Sequence, residues 1–194
     1  NDWVKFTLDL PMKKETNIGE EFAYFTAGVV VLGDIIHKSV PNGLVSYADK
    51  KLFKPLGITN YQWEYTPQNV GNTAGGIRLR ALDFAKYGQL YKNKGLWNGK
   101  QILNEKWVEK SLGKQIKQSL DEGYYGYLFW NKTYKVNNKE YEVSYCSGNG
   151  GNKVFIFKDI PFVIVITASA YNNPNAHSNV DKMMMEYILP AIIE

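Results

Sequence analysis

The hydrophobic positions of the first half of the chain recur with a helical period. Trp3, Phe6 and Leu10 share one face of WVKFTLDL, and Pro11 follows, which predicts a short helix over residues 3–10. A polar linker, KKETNIGEE, separates it from FAYF, an extended lead into an apolar helix over residues 28–39. Gly28 and Gly33 lie inside that helix, and close packing is the usual reason for glycines there. LVSYADKKLF predicts a helix through Phe53 that must stop before Pro55, because proline disfavours α geometry in the residue before it. Residues 60–79 have no helical period and are rich in turn formers, so they read as a long irregular excursion, a class of loop that is often functional. Residues 82–92 predict an amphipathic helix capped near Asp83 and closed by Gly95 in the left-handed conformation. WNGKQIL reads as a turn and a short extended piece, and another helix begins near Asn104 and ends near Gly113.

From residue 123 the period changes to two. YYGYLFW, TYKVNN, KEYEVSYC, KVFIF and FVIVITA, separated by turn residues, predict an antiparallel sheet, and NVDKMMMEYILPAI predicts a closing helix. Its methionines read as core packing rather than a cofactor site. Helices, then a meander, then a helix give an α+β chain without internal repeats. Residues 1–194 read as part of one domain, mainly helical over about 1–120, with strands and the last helix over about 121–194.

Composition narrows the function classes. The net charge of +4 comes from 23 basic and 19 acidic residues without a basic block, which argues against nucleic-acid binding despite the abundant tyrosine. A single cysteine, Cys146, excludes an internal disulfide and a multi-cysteine metal site. His37 and His177 stand in no metal-ligating spacing, so no metal or cofactor is expected. No apolar run approaches the roughly 18 residues of a membrane span. No signal peptide opens the sequence, whose first residues read as the middle of a folded protein.

Local motifs supply little chemistry. Cys146 has no base beside it in sequence and reads as a small buried hydrophobe rather than a nucleophile. GNGGNK precedes a strand rather than a helix and lacks the ending of a phosphate loop. A G-x-S-x-G elbow is absent, which argues against an ordinary α/β-hydrolase. Ser111-Leu-Gly-Lys114 fits the Ser-x-x-Lys string, but its glycine and its place at a helix end mark it as a chance match.

A set of segments in a consistent order is more specific. FAYFTAGVVVLGDII at 22–36 is similar to F-x-Y-S-N-x-G-x-x-L-L-G-x-I-I, and LFKPLGI at 52–58 to lF-x-PLG-[MI]. AGGIRL at 74–79 followed by DFAKYG at 83–88, WNGKQIL at 97–103, YGYLFW at 125–130 and GNGG at 148–151 continue the match. Together they resemble the serine β-lactamase / D,D-peptidase superfamily, in the branch with class C β-lactamases, esterases and 6-aminohexanoate-dimer hydrolases.

The resemblance implies a β-lactamase/transpeptidase-like fold, an antiparallel sheet flanked by helices with a helical subdomain, and an active site with one wall from each region. In such enzymes a serine attacks an ester, amide or peptide carbonyl and forms an acyl-enzyme, with a lysine and a tyrosine managing protons. Tyr24 takes the place of that tyrosine as general base, and the backbone N–H of Asn152 that of an oxyanion donor. Thr26, Asn149, Gly150 and Gly151 take substrate-binding places. Thr26 stands where the branch usually has Asn, and Asn149 where the third motif carries Lys or His. Both departures weaken a β-lactamase or carboxypeptidase reading and leave esterase or amide hydrolase more open. The family's Ser-x-x-Lys region would precede Asn1, so the chain reads as the C-terminal half to two-thirds of such an enzyme, without a nucleophile and inactive alone. The alternative is a non-catalytic penicillin-binding-protein-like domain that binds a cell-wall peptide or a protein. Expected partners are a small-molecule or peptide substrate and, through exposed sheet edges, the N-terminal segment or another copy. Family resemblance alone suggests a bacterial, exported or periplasmic setting.

Overall fold

Asp2 accepts a hydrogen bond from the Lys5 N–H at 2.9 Å and so starts α1, Trp3–Leu8, which ends two residues before the predicted limit. The computed structural model describes residues 1–12, 17–119 and 123–193, and the chain divides into two compact units, Asn1–Arg80 and Ala81–Glu194. Lys13 to Thr16 of the predicted linker, and the point near residue 120 where helices were expected to give way to strands, lie outside the described residues.

In the first unit α2, Thr26–Ser39, begins two residues before the expected start. Gly33 is there for a close approach: a Cβ would lie 2.3 Å from Thr73 Oγ1, which donates to the Val29 carbonyl at 2.6 Å. The partner of this glycine is therefore the excursion at 60–79 and not another helix. Helix α3, Gly43–Ala48, continues as a π-helical turn, Asp49–Phe53, and stops before Pro55 as expected. The excursion is more regular than predicted. Strands β1, Tyr61–Trp63, and β2, Ile77–Leu79, pair antiparallel with Tyr61 opposite Leu79. Three-residue strands are too short to declare a period, and their ladder is recognisable only in three dimensions. Phe53 packs on Tyr61 and Trp63, and Trp63 Nε1 donates to the Asn72 carbonyl at 2.8 Å, closing the loop.

In the second unit α4 covers Ala81–Lys92. Asp83 is its third residue rather than its cap; it is buried and pairs with Lys86 Nζ at 2.8 Å. Gly95 takes φ +84° as predicted. Asn98 and Gly99, both at positive φ, form the two-residue turn between β3, Leu96–Trp97, and β4, Lys100–Gln101. Helix α5, Glu105–Leu112, is capped by Asn104, which accepts from the Trp107 N–H, and Gly113 follows it.

The sheet contains β5, Ile116–Lys117; β6, Tyr124–Tyr125; β7, Trp130–Val136; β8, Lys139–Gly148; β9, Asn152–Phe157; and β10, Val163–Ile166. Its order is β10-β9-β8-β7-β6-β5, antiparallel throughout. YYGYLFW is not one strand: the chain turns between β6 and β7, with Leu128 at φ +64°. Lys153 to Phe157 of β9 are buried on both faces. On one face Phe155 and Phe157 pack with Tyr134, Tyr145, Val180 and Met184, and on the other Ile156 joins Tyr91, Val108 and Phe129. The chain closes with α6, Ala176–Met183, a π-helical turn over Met184–Ile188, and α7, Leu189–Ile192. Of the three consecutive methionines only Met184 is buried; Met183 and Met185 are exposed, so the methionine stripe contributes one side chain to the core.

An ion cluster pins α6 to the sheet. Asp181 Oδ1 accepts from the Tyr134 hydroxyl at 2.7 Å, Lys132 Nζ at 2.7 Å and Lys153 Nζ at 3.1 Å. Burial pushes the Asp181 pKa up, but hydrogen bonds from Lys132 and Tyr134 and the charges of both lysines outweigh it and hold the carboxyl below its usual value.

Two stability tests follow from these contacts. The folded pKa of Asp181 lies below the unfolded one, so its contribution is complete above about pH 4 and is lost as pH falls through the depressed folded value. Asp181→Asn should cost about 2–3 kcal/mol at neutral pH and flatten the acid slope of stability in urea melts; an unchanged slope would remove Asp181 from this role. Gly33→Ala should cost about 1–3 kcal/mol by the same melts, since the added methyl displaces Thr73 from its hydrogen bond.

Candidate active site

The sequence-predicted site residues divide between the two units. In the first, Phe25 is the N-cap of α2 and gives no side-chain cap, so the first N–H groups of the helix keep their positive end uncapped by a side chain at that residue. Tyr24 precedes this end and is 58% exposed. Thr26 opens the helix and lines an open pocket of about 400 Å³ together with Trp3, Phe6, Ala27, Val30 and Asn72. The wall is mostly apolar, with the Thr26 hydroxyl able both to donate and to accept.

In the second unit Asn149, Gly150 and Gly151 form the loop between β8 and β9, and Asn152 is the first residue of β9, opposite Gly148. Both asparagine side chains are engaged. Asn149 Nδ2 donates to Asn172 Oδ1 at 3.1 Å, and its Oδ1 accepts from the Asn172 N–H at 3.2 Å. Asn152 Nδ2 donates to the Asn149 and Ala168 carbonyls at 2.8 and 2.9 Å, and its Oδ1 accepts from the Ala168 N–H at 3.1 Å. Gly150 and Gly151 have φ +82° and +88° and lie against Tyr171 and the Ala176 carbonyl, with 3.0 Å between either contact and a would-be Cβ. The side chains of the hairpin thus hold its shape.

The residues set aside in the sequence occupy structural places. Cys146 on β8 packs against the cluster of Tyr91, Val108, Phe129 and Ile156, and burial pushes its thiol up to about 12, so it stays protonated and inert. Ser111 is 1% exposed and donates to the Val108 carbonyl of its own helix, while Lys114 Nζ pairs with Glu142 at 2.7 Å. Neither serves the other, so the Ser-x-x-Lys string is a chance match here. His37 Nδ1 accepts from the Leu44 N–H at 3.4 Å, and His177 is exposed on α6. Among the described residues no group of three or more His, Cys, Asp or Glu side chains is placed to hold a metal, and no helix is long and apolar enough to cross a membrane.

Sequence reasoning missed the cluster of Lys132, Lys153 and Asp181. A signal was present: Lys153 shares its strand parity with Phe155 and Phe157, which places a lysine on an inward-facing row.

Three solved structures are similar to this chain. One, a protein assigned as a 6-aminohexanoate-dimer hydrolase from Bacillus anthracis, is 21% identical, covers 94% of this chain and 48% of its own, and superposes with a TM-score of 0.74. A protein assigned as a β-lactamase from Bacteroides dorei is 14% identical over 93% of this chain and 62% of its own, with a TM-score of 0.64. The octameric penicillin-binding protein homologue from Pyrococcus abyssi is 20% identical over 89% of this chain and 43% of its own, with a TM-score of 0.59. No protein-family model matches the chain, and no curated protein does. The chain spans about half the length of these solved proteins. Over that length it shares the α+β fold of these three proteins, with an antiparallel sheet flanked by helices.

Proposed function

We propose that the chain is the C-terminal part of a serine hydrolase of this fold, which cleaves an ester, amide or peptide bond through an acyl-enzyme when the protein is complete. The observation that carries the reading is the likeness, over 94% of the chain, to a structure assigned as a 6-aminohexanoate-dimer hydrolase. Tyr24 and the glycines of GNGG stand at the family's motif positions, whereas Thr26 and Asn149 depart from its usual residues. Tyr24 acts as general base, taking the proton of the attacking serine and returning it to the leaving group. The Asn152 N–H stabilises the oxyanion of the tetrahedral intermediate. Thr26, Asn149, Gly150 and Gly151 border the substrate. The serine and its lysine come from outside this chain, either from a preceding segment or from a partner that completes the sheet. The substrate is a small molecule or a short peptide.

One observation favours a second reading, a non-catalytic domain that binds a cell-wall peptide or a protein. Asn149 replaces a cation and is tied at both ends of its amide to Asn172, so this position supplies no charge to assist proton transfer.

The two readings part on labelling. Incubated with a fluorophosphonate or a β-lactam probe, the chain as it stands should remain unlabelled by mass spectrometry. The protein encoded by its complete gene should be labelled stoichiometrically at a serine of a Ser-x-x-Lys helix. Labelling at Ser111 would overturn the assignment of a chance match, and a complete coding sequence without such a serine would leave the binding reading standing. In an active full-length protein, Tyr24→Phe should lower kcat by about 10²–10⁴ with a smaller effect on KM, as loss of a general base does. An unchanged kcat would take the proton transfer away from Tyr24.

A further inference from the structure

The loop between β1 and β2 supplies part of the wall of the pocket beside Thr26. Asn72 and Ala74 of this loop line it together with α1 and the first turns of α2. Gln68, also in the loop, ties α1 in place: its Oε1 accepts from the Trp3 N–H at 3.5 Å and its Nε2 donates to the Asn1 carbonyl.

At about 400 Å³ the pocket has room for a small molecule. Trp3, Phe6, Ala27 and Val30 make it mainly apolar, and no Lys, Arg, His, Asp or Glu among the described residues lines it. Trp3 and Phe6 are 40% and 65% exposed, so a hydrocarbon chain laid against them takes aromatic surface out of water.

The polar groups of the pocket are few and unbalanced. The Thr7 hydroxyl donates to the Trp3 carbonyl at 2.7 Å and is spent within α1. The Asn72 backbone is engaged at both ends, its N–H on the Glu64 carbonyl and its carbonyl on Trp63 Nε1. Asn72 Oδ1 accepts from the Ala74 N–H at 3.0 Å, which fixes the side-chain amide by its oxygen. Nδ2, which can only donate, and the Thr26 hydroxyl make no hydrogen bond among the described residues. A ligand that satisfies this pocket must therefore bring an acceptor.

We propose that the pocket binds an uncharged, mainly aliphatic chain carrying an amide or ester carbonyl, and that Asn72 selects it by donating from Nδ2 to the carbonyl oxygen. The Thr26 hydroxyl supplies the second polar contact. A carboxylate or an ammonium would have to leave water for apolar walls without a counter-charge, so neutral amides and esters are preferred over ions of the same length. Thr26 follows Tyr24 by two residues, so the ligand lies at the end of α2 that carries the proposed base. Calling this ligand the substrate rests on the hydrolase reading; its binding does not.

The test uses the chain itself, titrated with hexanamide and, at matched ionic strength, with sodium hexanoate and hexylammonium chloride. The side-chain amide of Asn72, the indole N–H of Trp3 and the backbone amide of Ala27 are followed by NMR. Hexanamide should give saturable shifts with a millimolar Kd, and either ion should bind at least about tenfold more weakly. Butanamide, with two methylenes fewer, should also lose about tenfold. Asn72→Asp keeps the acceptor for the Ala74 N–H but removes the donor; it should weaken hexanamide about tenfold and strengthen hexylammonium. Thr26→Val should weaken hexanamide about threefold. Binding of either ion as tight as that of hexanamide, absence of a saturable shift, or an unchanged hexanamide Kd in the folded Asn72→Asp or Thr26→Val protein would overturn the proposal. Its failure is separable from that of the hydrolase reading. Hexanamide binding beside a complete protein without a reactive serine keeps the pocket and removes the enzyme, whereas a labelled enzyme whose chain ignores hexanamide removes the pocket alone.

Discussion

Strand β9 is covered on both faces, and the second unit is arranged around that constraint. An antiparallel strand with one wet face alternates apolar and polar residues, but β9 buries five consecutive side chains, Lys153 to Phe157. One side demands the C-terminal helices, which bring Val180, Met184 and Leu189, and the other demands Tyr91 and Val108 of α4 and α5. A lysine in such a strand cannot remain without compensation, since removing an ammonium from water costs several kcal/mol. Asp181 is the answer, and it also fixes which turn of α6 faces the sheet.

Much of this arrangement is legible in the residues. The runs KVFIF and KEYEVSYC reveal their strands because their lengths exceed the few residues at which period two becomes visible. Asn104 and Gly113 announce the ends of α5 through capping chemistry, and Asn98-Gly99 announces its turn. Where the reading failed, the deciding contact is distant in sequence. Residues 61–63 and 77–79 become strands only because they find each other, with Thr66 to Gly76 folded between them. YYGYLFW alternates correctly, yet it breaks at Gly126, where a Cβ would lie 2.3 Å from the Ser111 carbonyl. No local pattern encodes a neighbour fifteen residues upstream.

The candidate site was legible in a different way. Composition and spacing disposed of the decoys, and burial explains why they are inert: Cys146 lies in an apolar cluster and Ser111 bonds its own helix. The positions of Tyr24, Thr26 and the GNGG hairpin came from likeness to a family rather than from physical pattern. Tyr24 is one of fourteen tyrosines, and Tyr171 and Tyr187 are more exposed than it is, so it carries no signal of its own. Nor could the sequence reveal that the side chains of Asn149 and Asn152 are spent on Asn172 and Ala168, because those partners lie 23 and 16 residues further along the chain.

That last arrangement bears on how the departure at Asn149 should be understood. Asn149 both donates to Asn172 and accepts from its backbone N–H, and Asn172 itself sits at φ +58°, a conformation asparagine tolerates better than most residues. A lysine at position 149 has donors but no acceptor, so it could not satisfy the Asn172 N–H. A histidine could accept at one nitrogen, though with a different reach. The loop after β10 is therefore fitted to an amide at this position, and the loss of a cation is not an isolated change that a single reversion would undo. If the hairpin serves catalysis, it does so with charge supplied from elsewhere and with its backbone, held by two asparagines and two glycines, as the contributing group.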